Sequence, residues 1–177
     1  MTRSPLLVWQ AAQDPHDAML FFIRTWAEEV RDQVPIARAA RARHHQLMDQ
    51  AERGEDWSPD DATIAGQFRT VWAAEAKLIW MAAQLDRWLA RYARETGQEA
   101  DSVPSPLRTL RNSLEHLDCA DFTAGHAIAG AGAWSIKDLP DGELFIGSTT
   151  TEDVFGIASI DDVELAATEV LRQFNAQ

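Results

Sequence analysis

The feature that most constrains the fold is a helical repeat in the middle of the chain. Nine positions there recur at alternating spacings of four and three: Ile64, Phe68, Val71, Glu75, Leu78, Ala82, Leu85, Leu89 and Tyr92. That spacing places all of them on one face of an α-helix and is typical of a bundle or coiled-coil seam. Trp72, Trp80 and Trp88 lie beside this face, which predicts that a second face is buried as well. A long helix with two apolar faces needs two neighbours, so the repeat predicts a helical bundle and favours a homodimer.

Helix boundaries are marked by capping residues and prolines. A capping residue precedes a proline at three places: Asp14-Pro15, Ser58-Pro59 and Ser105-Pro106. Proline is favoured at the first helical position, so each pair predicts the start of a helix. The second of these helices is expected to end near Thr96-Gly97 and the third near Asp121. Pro35 either kinks the first helix or starts another one, which would run from about Ile36 to Arg53.

The last third of the chain has a different pattern. Short runs predict three strands there: Trp134–Leu139, Glu143–Gly147 and Asp153–Ala158. Ser159 and Asp162 predict the cap of a last helix that continues to Phe174. The predicted fold is mainly α: an up-and-down helical bundle of four to five helices, a small C-terminal β-hairpin or meander, and a final helix. Residues 1–177 are expected to form a single domain, with the bundle in 14–121, because the appendage in 122–177 is too short for a core of its own.

Net charge limits the partners of this chain. Its 16 Lys and Arg against 28 Asp and Glu give a formal net charge of −12. Non-specific binding to nucleic acid depends on Lys and Arg against phosphates, so DNA is not expected as a partner and RNA is disfavoured. The longest apolar run near the start, Ala18–Ile23, is far below the ~20 residues that span a bilayer. A cytoplasmic protein with no membrane segment is therefore predicted.

One short segment carries residues that suit chemistry. Arg111-Asn112-Ser113-Leu114-Glu115-His116, the hexad, places an arginine, a polar residue and a histidine in fixed order on the helix that Ser105-Pro106 opens. A guanidinium stays charged at physiological pH, and an imidazole exchanges protons near neutral pH. Together they suit the cleavage of a phosphodiester, with the imidazole as general acid or base. Arg111, Asn112 and His116 are therefore the candidate catalytic residues.

The hexad resembles the R-x4–6-H signature of the HEPN superfamily, helical-bundle proteins that include toxin ribonucleases. Members usually have a polar residue directly after the arginine, where this chain has Asn112, and the resemblance covers the helical region 14–121. It implies metal-independent RNA cleavage in a symmetric dimer, with both copies of the motif facing one cleft. It also implies that His116 moves a proton, that Arg111 holds the scissile phosphate, and that Asn112 orients one of these side chains. A toxin of this type would have an antitoxin protein as its partner.

The acidic residues of the same segment support a different hypothesis. Glu115 and Asp118 lie four and seven positions after Arg111, on one helix face, so either can neutralise the guanidinium. The alternative function is therefore a non-catalytic helical interaction or ligand-binding module. It predicts a concave apolar pocket lined by Trp, with Arg111 paired to Glu115 or Asp118. In a third possibility the bundle is purely structural, and Arg111 and His116 lie far from any pocket.

Other polar residues predict packing or surface positions. Glu75, the carboxylate within the apolar repeat, is expected to pair with an arginine of a neighbouring helix, with a catalytic role as the alternative. His44 and His45 are adjacent and are expected at the surface. The five histidines form no H-x-x-x-H or E-x-x-H pattern, so no metal site is predicted. Gly130-Ala131-Gly132 lacks the third glycine of a dinucleotide-binding loop; a turn or packing role is predicted, and no cofactor is expected.

Overall fold

The chain folds mainly into α-helices, as predicted. The computed structural model describes residues 14–54, 57–98, 105–147 and 153–175. Within these ranges it has four α-helices: α1 (Pro15–Arg53), α2 (Asp61–Glu95), α3 (Pro106–Glu115) and α4 (Ile160–Asn175). Small antiparallel strands lie between α3 and α4. None of the helices in the described part of the chain is long and apolar enough to cross a membrane.

α1 and α2 form a long antiparallel pair. Near the start of α1, Phe22 stacks on Trp88 with the ring centroids 4.5 Å apart. Further along α1, the buried Gln33 donates from Nε2 to the backbone carbonyl of Ala74 at 3.1 Å. Residues later in α1 therefore contact residues earlier in α2, as expected for antiparallel helices. This arrangement sets the frame on which the other elements pack.

α4 packs against α1, also in the antiparallel direction. Arg24 donates to the backbone carbonyl of Phe174 near the end of α4. At the other end of the contact Arg38 pairs with Asp161 and, at 2.7 Å, with Glu164. Ser159 Oγ accepts from the backbone N–H of Asp162 at 3.3 Å, which confirms the predicted cap of this last helix.

The predicted seam of α2 forms part of the core. Val71, Leu78, Ala82 and Leu85 are buried, whereas the positions near both ends of the repeat are only half-buried. The core continues into the appendage. The largest fully buried apolar side chains of the core come from α1, α2, α3 and the segment between α3 and α4: Ile23, Val30, Val34, Leu78, Ile79, Leu110, Ile136, Leu144 and Val154.

Two helix boundaries differ from the sequence expectation. α2 is capped by Asp60, whose side chain accepts from the backbone N–H of Thr63 at 2.7 Å, so the helix starts after the predicted Ser58-Pro59 pair. Ser58 instead donates from Oγ to the carbonyl of Gln50 at 3.0 Å and holds the end of α1. α3 ends at Glu115, before the predicted end near Asp121. Pro35 lies inside α1, which continues through it to Arg53, so the alternative in which it starts another helix is excluded.

The β segment is only partly as predicted. β1 (Asp121–Thr123), β2 (His126–Ile128) and β3 (Glu143–Phe145) form an antiparallel sheet in that order. β4 (Asp153–Val154) and β5 (Ala158–Ser159) form a separate two-stranded pair. The second predicted strand is present in shortened form as β3. The third, Asp153–Ala158, is wrong as a single strand, because the chain turns at Phe155 and Gly156 and its two ends pair with each other as β4 and β5. β1 and β2 were not predicted.

The prediction of a first strand at Trp134–Leu139 is wrong. Residues Trp134–Asp138 form a 3₁₀ helix. Ala133, Ile136 and Leu139 are the buried positions, and they recur every three residues. That period matches a 3₁₀ helix, in which residues three apart lie on one side, and not a strand.

Candidate functional site

α3 is positioned by its cap and by two buried residues. Ser105 caps the first turn, and Pro106 occupies the first helical position. Leu110 and Ser113, three positions apart, are fully buried and define the inner face of the helix. Because α3 packs this face toward α2, Arg111 lies at its edge, where it is half-buried.

Arg111 is engaged within its own helix. Its Nη2 pairs with the carboxylate of Glu115 one turn later, and its Nη1 donates to Oδ1 of Asn112 at 2.9 Å. Its Nε is shielded from solvent and has no acceptor in the described part of the chain. The Arg111 side chain is 18% exposed and that of Glu115 is 40% exposed. The guanidinium is thus already neutralised, and little of it is accessible.

His116 lies at the end of α3, outside this pair. Its backbone N–H donates to the carbonyl of Asn112 at 3.2 Å and closes the helix. The His116 side chain is exposed, and within the described ranges it has no hydrogen bond, ion pair or ring contact. The structure therefore joins Arg111 to Asn112 but joins neither side chain to His116. The catalytic roles of the three residues stay predictions.

A groove lies between α2 and α3 beside the ion pair of Arg111. It has a volume of about 270 Å³ and is lined by residues of both helices: Trp72, Ala76, Trp80, Arg111, Leu114 and Glu115. We call it the α2–α3 groove. Trp80 is 40% exposed and packs edge-to-face on Trp26, with the ring centroids 5.3 Å apart. Trp72 packs in the same way on Phe155 at 5.9 Å, so both indoles of the groove are supported from behind.

A second ion pair fixes α3 against α2. Arg108 Nε donates to Oδ2 of Asp86 at 2.6 Å, and about a third of each side chain is exposed. This contact uses the other arginine of α3 for packing. It leaves Arg111 as the cation that lines the groove.

A further group of polar side chains lies buried between α1 and α2. Arg41 Nε donates to Oε1 of Glu75 at 2.8 Å, which confirms the predicted pairing of Glu75. The two side chains are 11% and 7% exposed. Burial raises the pKa of the Glu75 carboxyl, and Arg41 and His45 only partly offset this effect.

His44 belongs to the same group. It is 3% exposed, so its predicted surface position is wrong. Its ring packs against Phe68 of α2, with the centroids 5.7 Å apart. Burial lowers the pKa of the His44 imidazole, and the neighbouring His45 lowers it further. A buried imidazole of this kind is neutral near pH 7.

Comparisons of the chain with models of protein families, with curated proteins and with solved structures found no match. The HEPN resemblance accordingly rests on the hexad and stays a prediction. In the described ranges, no group of three or more His, Cys, Asp or Glu side chains is placed to hold a metal ion.

Sequence reasoning predicted a Trp-lined apolar pocket beside the paired Arg111 as part of the interaction-module hypothesis, but it did not identify Trp72 and Trp80 as the walls of that pocket. The signal was present in the spacing. Ala76 lies one turn from Trp72 and one turn from Trp80 on the same helix face. A small residue between two large rings leaves a gap on the helix surface, and this gap stays open unless a side chain of a neighbouring helix fills it. α3 borders the gap with Arg111, Leu114 and Glu115 instead of filling it.

Proposed function

We propose that this chain is a non-catalytic helical interaction module, and that the α2–α3 groove receives an apolar side chain of a partner protein. The observation that carries the proposal is the combination of two features at one place. The groove has indole walls from Trp72 and Trp80, and its rim carries Arg111 already paired with Glu115. The interaction-module hypothesis requires both features.

The size and lining of the groove suit a side chain better than a large ligand. Its volume of about 270 Å³ is just below the range of ~300–1,000 Å³ that is usual for drug-sized ligands. Trp and Arg are the residues that most often contribute strongly to the affinity of protein interfaces, and they do so where partner side chains fill pockets. A large apolar side chain between the two indoles would bury their exposed faces.

Arg111 adds a polar requirement for the partner. Its Nε is a buried donor without an acceptor in the described ranges. Burying a donor without an acceptor destabilises the folded chain, because the hydrogen bond to water is lost and not replaced. A shift of the Arg111 side chain on binding would expose this Nε to a backbone carbonyl or side-chain oxygen of the partner, placed beside the apolar anchor, which would supply the acceptor. The bound segment is therefore expected to combine one large apolar side chain with an adjacent hydrogen-bond acceptor.

Charge indicates the kind of partner. The chain has a formal net charge of −12, and the stretch from residue 111 to residue 121 has one arginine against three acids, Glu115, Asp118 and Asp121. Complementary charge speeds encounter and excludes partners of the same sign. We therefore expect a basic protein segment, with Lys or Arg flanking the apolar anchor.

Selection from a displayed peptide library against the full chain tests this proposal. Peptides with a large apolar residue flanked by Lys or Arg should be enriched, and Ala76→Trp, which fills the groove, should remove the enrichment. Ala73→Trp is the matched control, because Ala73 is exposed on α2 and lies outside the groove. Enrichment of the same peptides on both variants would contradict the proposal.

A HEPN-type ribonuclease is the second candidate function. The observation that favours it is the exposure of His116 at the end of the helix that carries Arg111. It requires that Arg111 leave Glu115 when RNA binds, and that a second copy of the chain supply the other half of a basic cleft. Both requirements can be tested separately from the groove.

A further inference from the structure

A second groove lies between α1 and the first turns of α2. It has a volume of about 380 Å³, within the usual range for small-molecule sites. Residues from both helices and from the segment after β3 line it: His44, Met48, Asp61, Ile64, Ala65, Phe68 and Gly147. We propose that this α1–α2 groove binds a small neutral molecule with a flat apolar body and a single hydroxyl-type polar end.

The apolar body follows from the lining. Ile64 and Phe68 belong to the apolar repeat of α2, but they stay half-exposed, whereas Val71, the next member, is buried. Met48 faces them from α1 and has an unbranched side chain that adapts to different shapes. A flat apolar molecule would cover the part of the seam that α1 leaves open.

The polar end follows from a small recess next to the groove. The recess has a volume of about 20 Å³ and shares His44, Phe68 and Gly147 with the groove. A space of this size holds about one water molecule, so it admits a head of one or two non-hydrogen atoms. Glu75 lines it as well and offers a carboxylate oxygen as an acceptor. A hydroxyl can donate a hydrogen bond to this carboxylate.

The surroundings of the recess select a neutral head. Burial raises the pKa of Glu75 and lowers the pKa of His44, which means that charge is disfavoured at both positions. The charge that is present is already balanced within the Arg41–Glu75 pair. A carboxylate or ammonium head would lose its hydration there without a free counter-charge. A phenol-type or alcohol-type ligand avoids that penalty.

The two grooves can be tested independently. Trp72 lines both the recess and the α2–α3 groove, so a substitution at Trp72 would affect both. Ala65 lines only the α1–α2 groove, and it is exposed, so a larger residue there can be accommodated. Ala62 is also exposed on α2 and lines neither groove, which makes it the matched control.

The experiment titrates phenol, toluene and benzoate into the full chain at pH 7 and follows backbone amide shifts by NMR. Phenol should produce saturable shifts at Ala65, Phe68 and Gly147, with a dissociation constant on the order of 1 mM. Toluene, which lacks the hydroxyl, and benzoate, which is charged, should each bind about tenfold more weakly, the effect of one hydrogen bond or more. Ala65→Trp should weaken phenol binding at least tenfold, and Ala62→Trp should leave it unchanged.

Three results would overturn the inference. The first is an absence of saturable shifts with phenol, or shifts at the α2–α3 groove alone. The second is equal affinity for phenol and toluene, since the recess would then play no part. The third is an unchanged affinity in a folded Ala65→Trp variant. The affinities of the three probes are compared on the unaltered chain, so this comparison tests the proposed ligand site even if the Ala65→Trp variant does not fold.

Discussion

At the scale of single residues, the partner of Arg111 decides what the hexad can do. A guanidinium that is paired with Glu115 and bonded to Asn112 must lose both contacts before it can hold a phosphate. Because the Arg111–Glu115 pair is partly exposed, breaking it costs little free energy, about 0.5 kcal/mol for an i,i+4 contact. The absence of any side-chain link between Arg111 and His116 in the described ranges is therefore the stronger reason to favour an interaction module.

Ribonuclease assays of the hexad variants separate the two functions. With RNA in a metal-free buffer, we expect no cleavage that depends on His116, so the unaltered chain, His116→Ala and Arg111→Ala should give the same background. Asp118→Asn serves as the control for purification, since Asp118 is exposed and has no ion pair with Arg111 in the described ranges. Cleavage that disappears in a folded His116→Ala variant would establish the ribonuclease instead.

The buried pair of Arg41 and Glu75 should contribute strongly to stability. Glu75→Leu leaves the Arg41 charge buried without its carboxylate, and removal of one partner of a buried pair typically costs about 3–5 kcal/mol. The double variant Arg41→Met with Glu75→Leu should recover most of that loss, because it removes both charges. Urea unfolding measures the free energies of unfolding. The control is Glu95→Gln in the exposed Arg91–Glu95 pair, which should cost less than about 1 kcal/mol; an equal loss at both sites would contradict the burial argument.

The raised pKa of Glu75 gives stability a defined dependence on pH. The ordinary pKa of a glutamate is 4.5, and burial raises the pKa of Glu75 above it in the folded chain. Between the two values the folded chain binds more protons than the unfolded chain, so the free energy of unfolding falls as pH rises. The difference in this free energy between the unaltered chain and the double variant should therefore be constant below pH 4.5 and decrease above it. A difference that increases over the same interval would contradict the assigned direction.

At the scale of elements, sequence patterns predicted the long helices well and the appendage poorly. The repeat of α2 and the cap at Asp14-Pro15 depend on contacts and propensities within one helix, so they are visible in the sequence. The element at Trp134–Asp138 depends on which residues the rest of the chain buries, and a short apolar run does not reveal that. The sheet pairing of β1 and β2 is equally nonlocal.

The candidate site was predictable to a similar extent. The position of the hexad on a helix opened by Ser105-Pro106 and the pairing of Arg111 with Glu115 both follow from local spacing. The indole walls come from another helix, so the groove required the packing of α3 on α2. The burial of His44 was missed for the same reason: Phe68, which covers it, belongs to α2.

Two glycines should respond in opposite ways to the same substitution. A Cβ at Gly130 would lie 2.2 Å from the carbonyl oxygen of Cys119, so the loop after β2 must pack its backbone directly on the segment after α3. Gly130→Ala should therefore destabilise the chain by about 1–3 kcal/mol. Gly66 lies inside α2 with only ordinary contacts for a Cβ, so Gly66→Ala should stabilise it by about 0.5–1 kcal/mol. Thermal unfolding measures both; a harmless Gly130→Ala would show that the loop can move away from Cys119.

At the scale of the whole molecule, charge and exposed aromatic rings point to association. Phe21, Phe22 and Trp80 are 45%, 38% and 40% exposed, and they come from the two long helices. The homodimer that the repeat favours stays a prediction, and sedimentation velocity decides it. A formal net charge of −12 makes repulsion between copies stronger at low salt. The same charge attracts a basic partner, so affinity for such a partner should fall as salt is added.

The central claim is that the α2–α3 groove binds an apolar side chain of a basic partner, and one titration tests it directly. A peptide selected on the full chain, with a large apolar residue between lysines, is added while tryptophan fluorescence is recorded. We predict a saturable change in fluorescence and at least a tenfold loss of affinity for Ala76→Trp, with Ala73→Trp unchanged. Equal affinity of the peptide for both folded variants would contradict the claim.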